Sequence, residues 1–412
     1  MIADSITRPL VDLQSIPADS RVSRSSPVVS GMDFHLLRAR LWARVAWLAF
    51  RQAHTPHEAL LDLFRLVRTL SDFRAGRWLS KVVRMGPGVA FDLYSPPFPS
   101  PAFDRFVEGE LQRLRPSDEA FTPLQAGFLA ITKKCGLHCE HCFEWEAMNG
   151  PEALDLNTLK ALLRRIRELG ATQVFLTGGE PLSRGPELVQ LLASAPADLE
   201  SWVITAGQGL HPALARELRN AGLRGLVISL DHWDPGQHDA FRGRIGTFSR
   251  AVDAARIARE SGLEIALSLC PTRVFLSREE NLWRYAELAR DLGAGFVQVM
   301  EPKAAGNFKD QEVELDAPAL ARLEAFYQAS QFDSRFKDLP VFSMPGLMSR
   351  RLGCLGRGQR YLYMDTDGGI HACPFCIGDA GNILSEDLGV LVDRLRLTGC
   401  PPEACALHVQ KA

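Results

Sequence analysis

The sequence predicts an α/β protein: a partial, TIM-like (β/α)6 barrel with an N-terminal helical segment and a small cysteine-rich β-hairpin-plus-helix module at its C-terminal end. Three observations lead there. After Thr122, short apolar runs alternate with amphipathic stretches; six such runs follow one another, too few for a closed eight-stranded barrel; and five of the nine cysteines crowd the last sixty residues. A chain of 412 residues with 46% apolar, 8% aromatic and 23% charged content can bury two or three cores, which excludes full-length disorder and collagen. Its net charge of −2 gives no reason to expect a nucleic-acid partner. No run of ~18 apolar residues and no basic-then-apolar leader is present, so the chain reads as cytoplasmic.

Residues 1–30 are rich in Ser and Pro and aperiodic, and are expected to form a flexible tail. Residues 31–121 read as a helical cap and linker. Helical patterns cover FHLLRARLWARVAWLAFRQA, HEALLDLFRLVRTL and, more briefly, DFRAGRWLSKVVRM; FDLYSPPFPSPAF then reads as an extended linker. Residues 34–84 hold ten Arg and Lys against three Asp and Glu, with Arg40, Arg44 and Arg51 on one stripe of the first helix. Peripheral membrane contact or substrate capture is one use of such a segment; a packed cap with solvated arginines is the other, and the reading adopted. Trp42, Trp47 and Trp78 are taken as packing groups.

Residues 122–310 form the barrel core. Its strands are expected at GFLAIT (127–132), QVFLTG (173–178), SWVITAG (201–207), GLVISLD (225–231), EIALSLC (264–270) and GFVQVME (295–301). Intervening stretches such as LNTLKALLRRIRELG end at Gly, as helices prefer. Continuous apolar strands separated by helices indicate parallel βα units, with the site at the strands' C-terminal ends. In residues 311–412, RYLYMDTDGGIHAC reads as a hairpin and LSEDLGVLVDRLRL as a helix.

Clustered cysteines in a reducing compartment bind metal or do redox chemistry more often than they form disulfides. Cys135, Cys139 and Cys142 fall within eight residues, directly after the first core strand. A closed zinc site would need a fourth ligand, which His138 or His141 could supply. A [4Fe–4S] cluster held by three thiolates would keep one iron open. On this loop alone both readings stand. The second strand runs into Thr177-Gly178-Gly179-Glu180-Pro181, which by itself also suits an ordinary βα turn.

Taken together, CxxxCxxC after the first strand and Gly-Gly-Glu after the second resemble the radical S-adenosylmethionine (radical SAM) superfamily. VISLDHWDPGQHDAFRGRIGTF resembles the branch with a SPASM/twitch-type C-terminal domain. The resemblance spans roughly residues 125–405. It implies that Cys135, Cys139 and Cys142 hold a [4Fe–4S] cluster whose open iron binds S-adenosylmethionine, and that a 5′-deoxyadenosyl radical takes hydrogen from an unactivated carbon. It also implies that Gly178, Gly179 and Glu180 meet the methionine ammonium, that Thr205 and Ser229 approach ribose or carboxylate, that Asp231 touches cofactor or substrate, and that Arg242 pairs with a carboxylate. An ordinary polar role at the strand ends fits the last four equally well. His141 stands where the family usually has Phe or Tyr and is the expected adenine contact. Thr205-Ala206-Gly207 replaces the common Thr-Asn-Gly.

Cys354, Gly368 after thirteen intervening residues, and Cys373 after four more match the opening spacing of the accessory domain. One auxiliary [4Fe–4S] cluster is expected, with Cys354, Cys373, Cys376, Cys400 and Cys405 competing for four places; structural zinc is the alternative. Cys270 reads as a small buried hydrophobe, and His371 as a surface group or hydrogen-bond donor. Peptide or protein modification is the leading function, with radical dehydrogenation or rearrangement of a small-molecule or lipidic metabolite as the alternative. A non-catalytic zinc scaffold is the rival from another class. An electron donor such as flavodoxin or ferredoxin is implied.

Overall fold

The computed structural model describes residues 27–74, 76–77, 80–115, 122–376 and 380–398. Cys400, Cys405 and Trp78 lie outside these, as does most of the expected tail; Val28–Ser30, counted with the tail, instead forms strand β1. It pairs antiparallel with β2 (Lys81–Met85), which pairs with β3 (Gly88–Ala90). Helices α1 (Met32–Gln52) and α2 (Pro56–Phe73) pack on each other, and α3 (Pro101–Arg113) packs on both. Thr55 and Glu58 form a capping box that starts α2.

Two expectations fail in this segment. Lys81–Met85, read as part of a third helix, is β2, because Val82 pairs with Val29 of β1 and Val83 with both Val28 of β1 and Ala90 of β3. The proline-rich linker gives way at Ser100, whose hydroxyl accepts from Phe103 N (3.0 Å) and opens α3 with Pro101 at its first position.

The core alternates as expected: β4 (Ala126–Ala130), α4 (Leu156–Glu168), β5 (Gln173–Thr177), α5 (Gly185–Ala193), β6 (Glu200–Thr205), α6 (Pro212–Asn220), β7 (Leu223–Ser229), α7 (Pro235–Phe241), α8 (Thr247–Glu260), β8 (Glu264–Leu269), α9 (Arg273–Leu276), α10 (Glu280–Asp291) and β9 (Phe296–Val299). The barrel continues past residue 310 through α11 (Ala317–Phe332) to β10 (Val341–Ser343), parallel to β9. After α12 (Pro345–Leu352) come the expected hairpin strands β11 (Tyr361–Met364) and β12 (Ile370–His371), then α13 (Leu388–Thr398). β11 also joins the main sheet, parallel to β4. The sheet order is β10-β9-β8-β7-β6-β5-β4-β11-β12, a nine-stranded partial barrel parallel except at β12.

The bottom of this barrel is plugged from the N-terminal sheet. Val83, Met85, Ala90 and Leu93 pack against one inward residue from each of seven strands: Ala126, Phe175, Trp202, Val227, Ala266, Phe296 and Val341. Lys81 fastens the plug, its Nζ donating to the carbonyls of Ser330, Phe336, Leu339 and Pro340 at 2.7–3.2 Å. With the bottom closed, open space remains at the strands' C-terminal ends and along the seam between β10 and β11. No described helix is long and apolar enough to cross a membrane.

Candidate active site

The loop after β4 carries Cys135, Cys139 and Cys142 to the C-terminal mouth, where they line a cavity of ≈ 170 Å³ with His141, Gly178 and Gly179. Glu180, Thr205, Ser229, Asp231 and Arg242 line the same cavity, so the structure brings together every barrel residue that the sequence assigned to cluster or cofactor; His138, the other candidate zinc ligand, does not line it. The first two loops are zipped backbone to backbone: Gly179 N donates to Thr132 O and Glu180 N to Lys134 O, both at 2.7 Å. A Cβ on Gly178 would sit 2.5 Å from Thr132 O, and one on Gly179 2.4 Å from Lys134 O. The two glycines are thus required by contact with the cysteine loop itself.

Glu180 is buried. Its Oε1 accepts from Thr205 Oγ1 (2.6 Å) and Leu182 N (3.1 Å), and its Oε2 from Ala206 N (2.9 Å). Burial pushes its pKa up to about 6, against the pull of these hydrogen bonds. A carboxylate has about four acceptor positions, so one remains. Thr205 is fixed from both sides, since its oxygen also accepts from Gly207 N at 2.9 Å.

Arg242, at the end of α7, turns inward beneath the cysteine loop. Its Nε and Nη2 donate to Asp231 Oδ2 at 2.6 and 2.5 Å, and its Nη1 donates to Cys139 Sγ at 3.7 Å. Asp231 Oδ1 accepts from Cys270 N (2.9 Å), so both of its oxygens are engaged. Burial raises the Asp231 pKa, but Arg242, His141, His238 and the Cys270 hydrogen bond together outweigh it and hold the carboxyl below its usual range. Arg242 therefore joins an internal carboxylate to a cysteine sulfur. His238 completes the set: its Nδ1 accepts from Asp231 N (3.1 Å), and burial lowers its pKa to about 4. Cys270 is buried, as expected of a small hydrophobe.

The His141 ring stacks on Phe241, with centroids 4.7 Å apart and planes 9° apart, and its buried Nδ1 has no hydrogen-bond partner among the described residues. Burial raises the pKa of all three thiols, that of Cys142 to about 12, which favours the protonated form until a cation binds. Among the described residues no three His, Cys, Asp or Glu side chains are grouped around a single ion position. Three thiolates, an unused Glu180 acceptor and an orphaned ring nitrogen fit a cluster-plus-cofactor site.

Sequence reasoning missed the residues that shape the loop. Asn149 clamps Cys135 through both backbone groups (3.0 and 3.1 Å), and Asn307 donates to Cys139 O (3.1 Å). Asn149 has φ 60 and precedes Gly150, a turn signature that was available; Asn307 gave no local sign.

A second cavity of ≈ 290 Å³ lies along the seam and is mostly apolar, bounded by Leu70 of α2, Phe106 of α3, Phe342 of β10, Met348 of α12 and Tyr361 of β11. It shares Phe128, Gln298, Met300 and Lys303 with the first. Cys354, Cys373 and Cys376 contribute to its wall. Cys376 is disulfide-bonded, so it can ligate iron only after reduction. His371 is buried and bonded to Asp365 at 2.6 Å, not a surface group.

The family model of the Radical SAM superfamily matches residues 129–292, and the chain belongs to that superfamily. It is an enzyme of the class that works with a [4Fe–4S] cluster and S-adenosylmethionine. Among its relatives, PqqA peptide cyclase of Gluconobacter oxydans is 32% identical over 252 residues, covering 59% of this chain and 68% of that protein. AdoMet-dependent heme synthase of Nitratidesulfovibrio vulgaris is 25% identical over 275 residues, covering 61% and 74%. Streptococcus suis SuiB bound to S-adenosylmethionine shares the fold at TM-score 0.54 and 17% identity, over 66% of this chain and 65% of that one. With its precursor peptide SuiA the values are 0.57 and 16%, over 86% and 82%.

Proposed function

We propose that Cys135, Cys139 and Cys142 each hold one iron of a [4Fe–4S] cluster, and that the enzyme removes hydrogen from an unactivated carbon of a peptide or protein substrate. The single observation that carries the site is the convergence of the three thiols with Gly-Gly-Glu, Thr205, Ser229 and Arg242 in one cavity. When bound, the reduced cluster and S-adenosylmethionine supply a 5′-deoxyadenosyl radical. The remaining acceptor of Glu180 receives the methionine ammonium, beside the Gly178–Gly179 backbone. Ser229, at the end of β7, faces the ribose or carboxylate. His141, backed by Phe241, offers its Nδ1 and ring to the adenine. Asp231 and Arg242 act through Cys139: Asp231 holds the guanidinium that donates to the Cys139 sulfur, so it serves as a positioning residue. The plugged bottom closes the end of the barrel opposite the site to water.

The peptide reading is supported by the relative that is a PqqA peptide cyclase and by the shared fold of SuiB, solved with its precursor peptide. The apolar lining of the larger cavity favours a second reading, dehydrogenation or rearrangement of a small-molecule or lipidic metabolite; the heme synthase relative is consistent with it. Residues 311–412 form an auxiliary domain in this reading, with Cys354 and Cys373 among the ligands of a second [4Fe–4S] cluster. The enzyme works in the cytoplasm, fed by a flavodoxin or ferredoxin.

Anaerobically purified protein should be brown and hold about eight irons per chain. Cys135→Ala should abolish 5′-deoxyadenosine formation from S-adenosylmethionine under dithionite. Colourless, zinc-loaded wild-type protein, or undiminished cleavage by the variant, would refute the assignment.

A further inference from the structure

Neither the cluster site nor the seam cavity uses the outward faces of α1 and α2. Twelve large hydrophobic side chains are exposed among the described residues, and six of them lie between Leu36 and Phe64. On α1, Leu36, Arg40, Trp47 and Phe50 recur at the spacing of one helical face. On α2, Leu60, Leu61, Phe64 and Arg68 do the same. Leu36 is 67% exposed, Phe64 63% and Leu60 58%, and Trp47, expected to pack inside, is 47% exposed. Isolated surface leucines need no explanation, but a concentration on two adjoining helices does.

The charge of these two helices is net basic. α1 and α2 carry Arg38, Arg40, Arg44, Arg51, Arg65 and Arg68 against Asp33, Glu58, Asp62 and Asp72, in a chain whose net charge is −2. Arg44 and Arg51 bracket the Trp47 ring at 4.1 and 4.7 Å, and are themselves held by Asp104 and Glu108 of α3. Arg40 and Arg68 point outward. Projecting Leu, Phe and Trp side chains ringed by arginine are the pattern of a helix lying at a lipid interface, where the rings sit among the headgroups and the guanidiniums meet lipid phosphates. α2 also separates this face from the seam cavity, to whose wall it gives Thr69 and Leu70.

We propose that the outward face of α1 and α2 docks the enzyme on an anionic lipid bilayer. This docking is independent of the radical chemistry, because the cysteine loop takes no part in it. The test is flotation of the anaerobically purified full chain with vesicles of phosphatidylcholine alone, or of equal parts phosphatidylcholine and phosphatidylglycerol. The chain should float with the anionic vesicles and remain behind with the neutral ones, and high salt should release it. Leu60→Ser with Phe64→Ser should abolish flotation. Arg40→Gln with Arg68→Gln should weaken it about thirtyfold, at roughly one headgroup contact per arginine. Both double variants should keep wild-type circular dichroism and wild-type 5′-deoxyadenosine formation in detergent-free buffer.

Several results would overturn the proposal. Absence of flotation is one, and equal flotation with neutral vesicles is another. A dimer that Leu60→Ser/Phe64→Ser splits, without vesicle binding, would assign the face to a second copy of the chain. Flotation that appears only after residues 1–26 are deleted would assign it to that segment.

Discussion

With Cys139 on the cluster, Arg242 places a positive charge against one of its ligands, and that charge should be readable as a reduction potential. The guanidinium lies 3.7 Å from Cys139 Sγ. An added electron spreads over the cube, so the effective separation is about 6 Å. At an effective dielectric of ~20 this gives about 3 kcal/mol in favour of the reduced state. At 59 mV per 1.4 kcal/mol for one electron, the value is roughly 120 mV. Arg242→Gln should therefore lower the potential of the site by about that amount. Asp231 lies on the far side of the guanidinium and opposes it, so Asp231→Asn should raise the potential by about half as much. Either single change leaves a buried partner uncompensated, at a cost of about 3–5 kcal/mol in stability. The double variant Asp231→Asn/Arg242→Gln should recover most of that stability and fall between the two potentials. The assay is an anaerobic redox titration followed by electron paramagnetic resonance, with urea unfolding alongside. A potential unmoved by Arg242→Gln, or shifts of the same sign for both single variants, would refute the reasoning.

Two other predictions follow from the same cavities. His238 has a folded pKa of about 4, lowered by burial against the opposing charge of Asp231, with Arg242, Asp239 and His232 also facing it; unfolded it returns to ~6.5. The unfolded chain thus binds more protons between those values, so this contribution is complete above pH ~6.5 and is lost as pH falls toward 4, about 3 kcal/mol in all. His238→Asn, which keeps an acceptor for Asp231 N, should flatten the stability profile over that window in urea titrations; an unchanged slope would show that another group sets it. Cys354→Ala should leave 5′-deoxyadenosine formation intact while blocking product and removing about four irons. Equal loss of cleavage and product would instead mark the second cysteine group as structural.

The barrel was legible because buried parallel strands are continuous apolar runs, and each of the six runs overlaps an observed strand. The cysteine loop and Gly-Gly-Glu were legible for a different reason, since each is contiguous in sequence and sits at a strand end. What escaped depends on distant contacts. Arg242 approaches Cys139 across about a hundred residues, because the end of α7 supports the loop through Phe241 O and Arg242 O. The plug takes one residue from each strand, and nothing distinguishes Ala126 or Ala266 from other inward residues until β2 and β3 are in place. Lys81–Met85 was misread because two turns of helical spacing and five residues of strand look alike when a basic residue flanks each side.

The pairing of β11 with β4 has a kinetic meaning. Four residue pairs, from Tyr361 with Ala126 to Met364 with Leu129, lock these strands at the usual ~4.8 Å spacing. The loop bearing Cys135 leaves one strand, and the turn bearing Cys373 follows the hairpin begun by the other. Any electron passing between centres at these two places crosses a gap set by a hydrogen-bonded lattice rather than by a hinge. Its timing must then be governed by driving force, with substrate arrival acting through energy levels and not through the approach of two moving bodies.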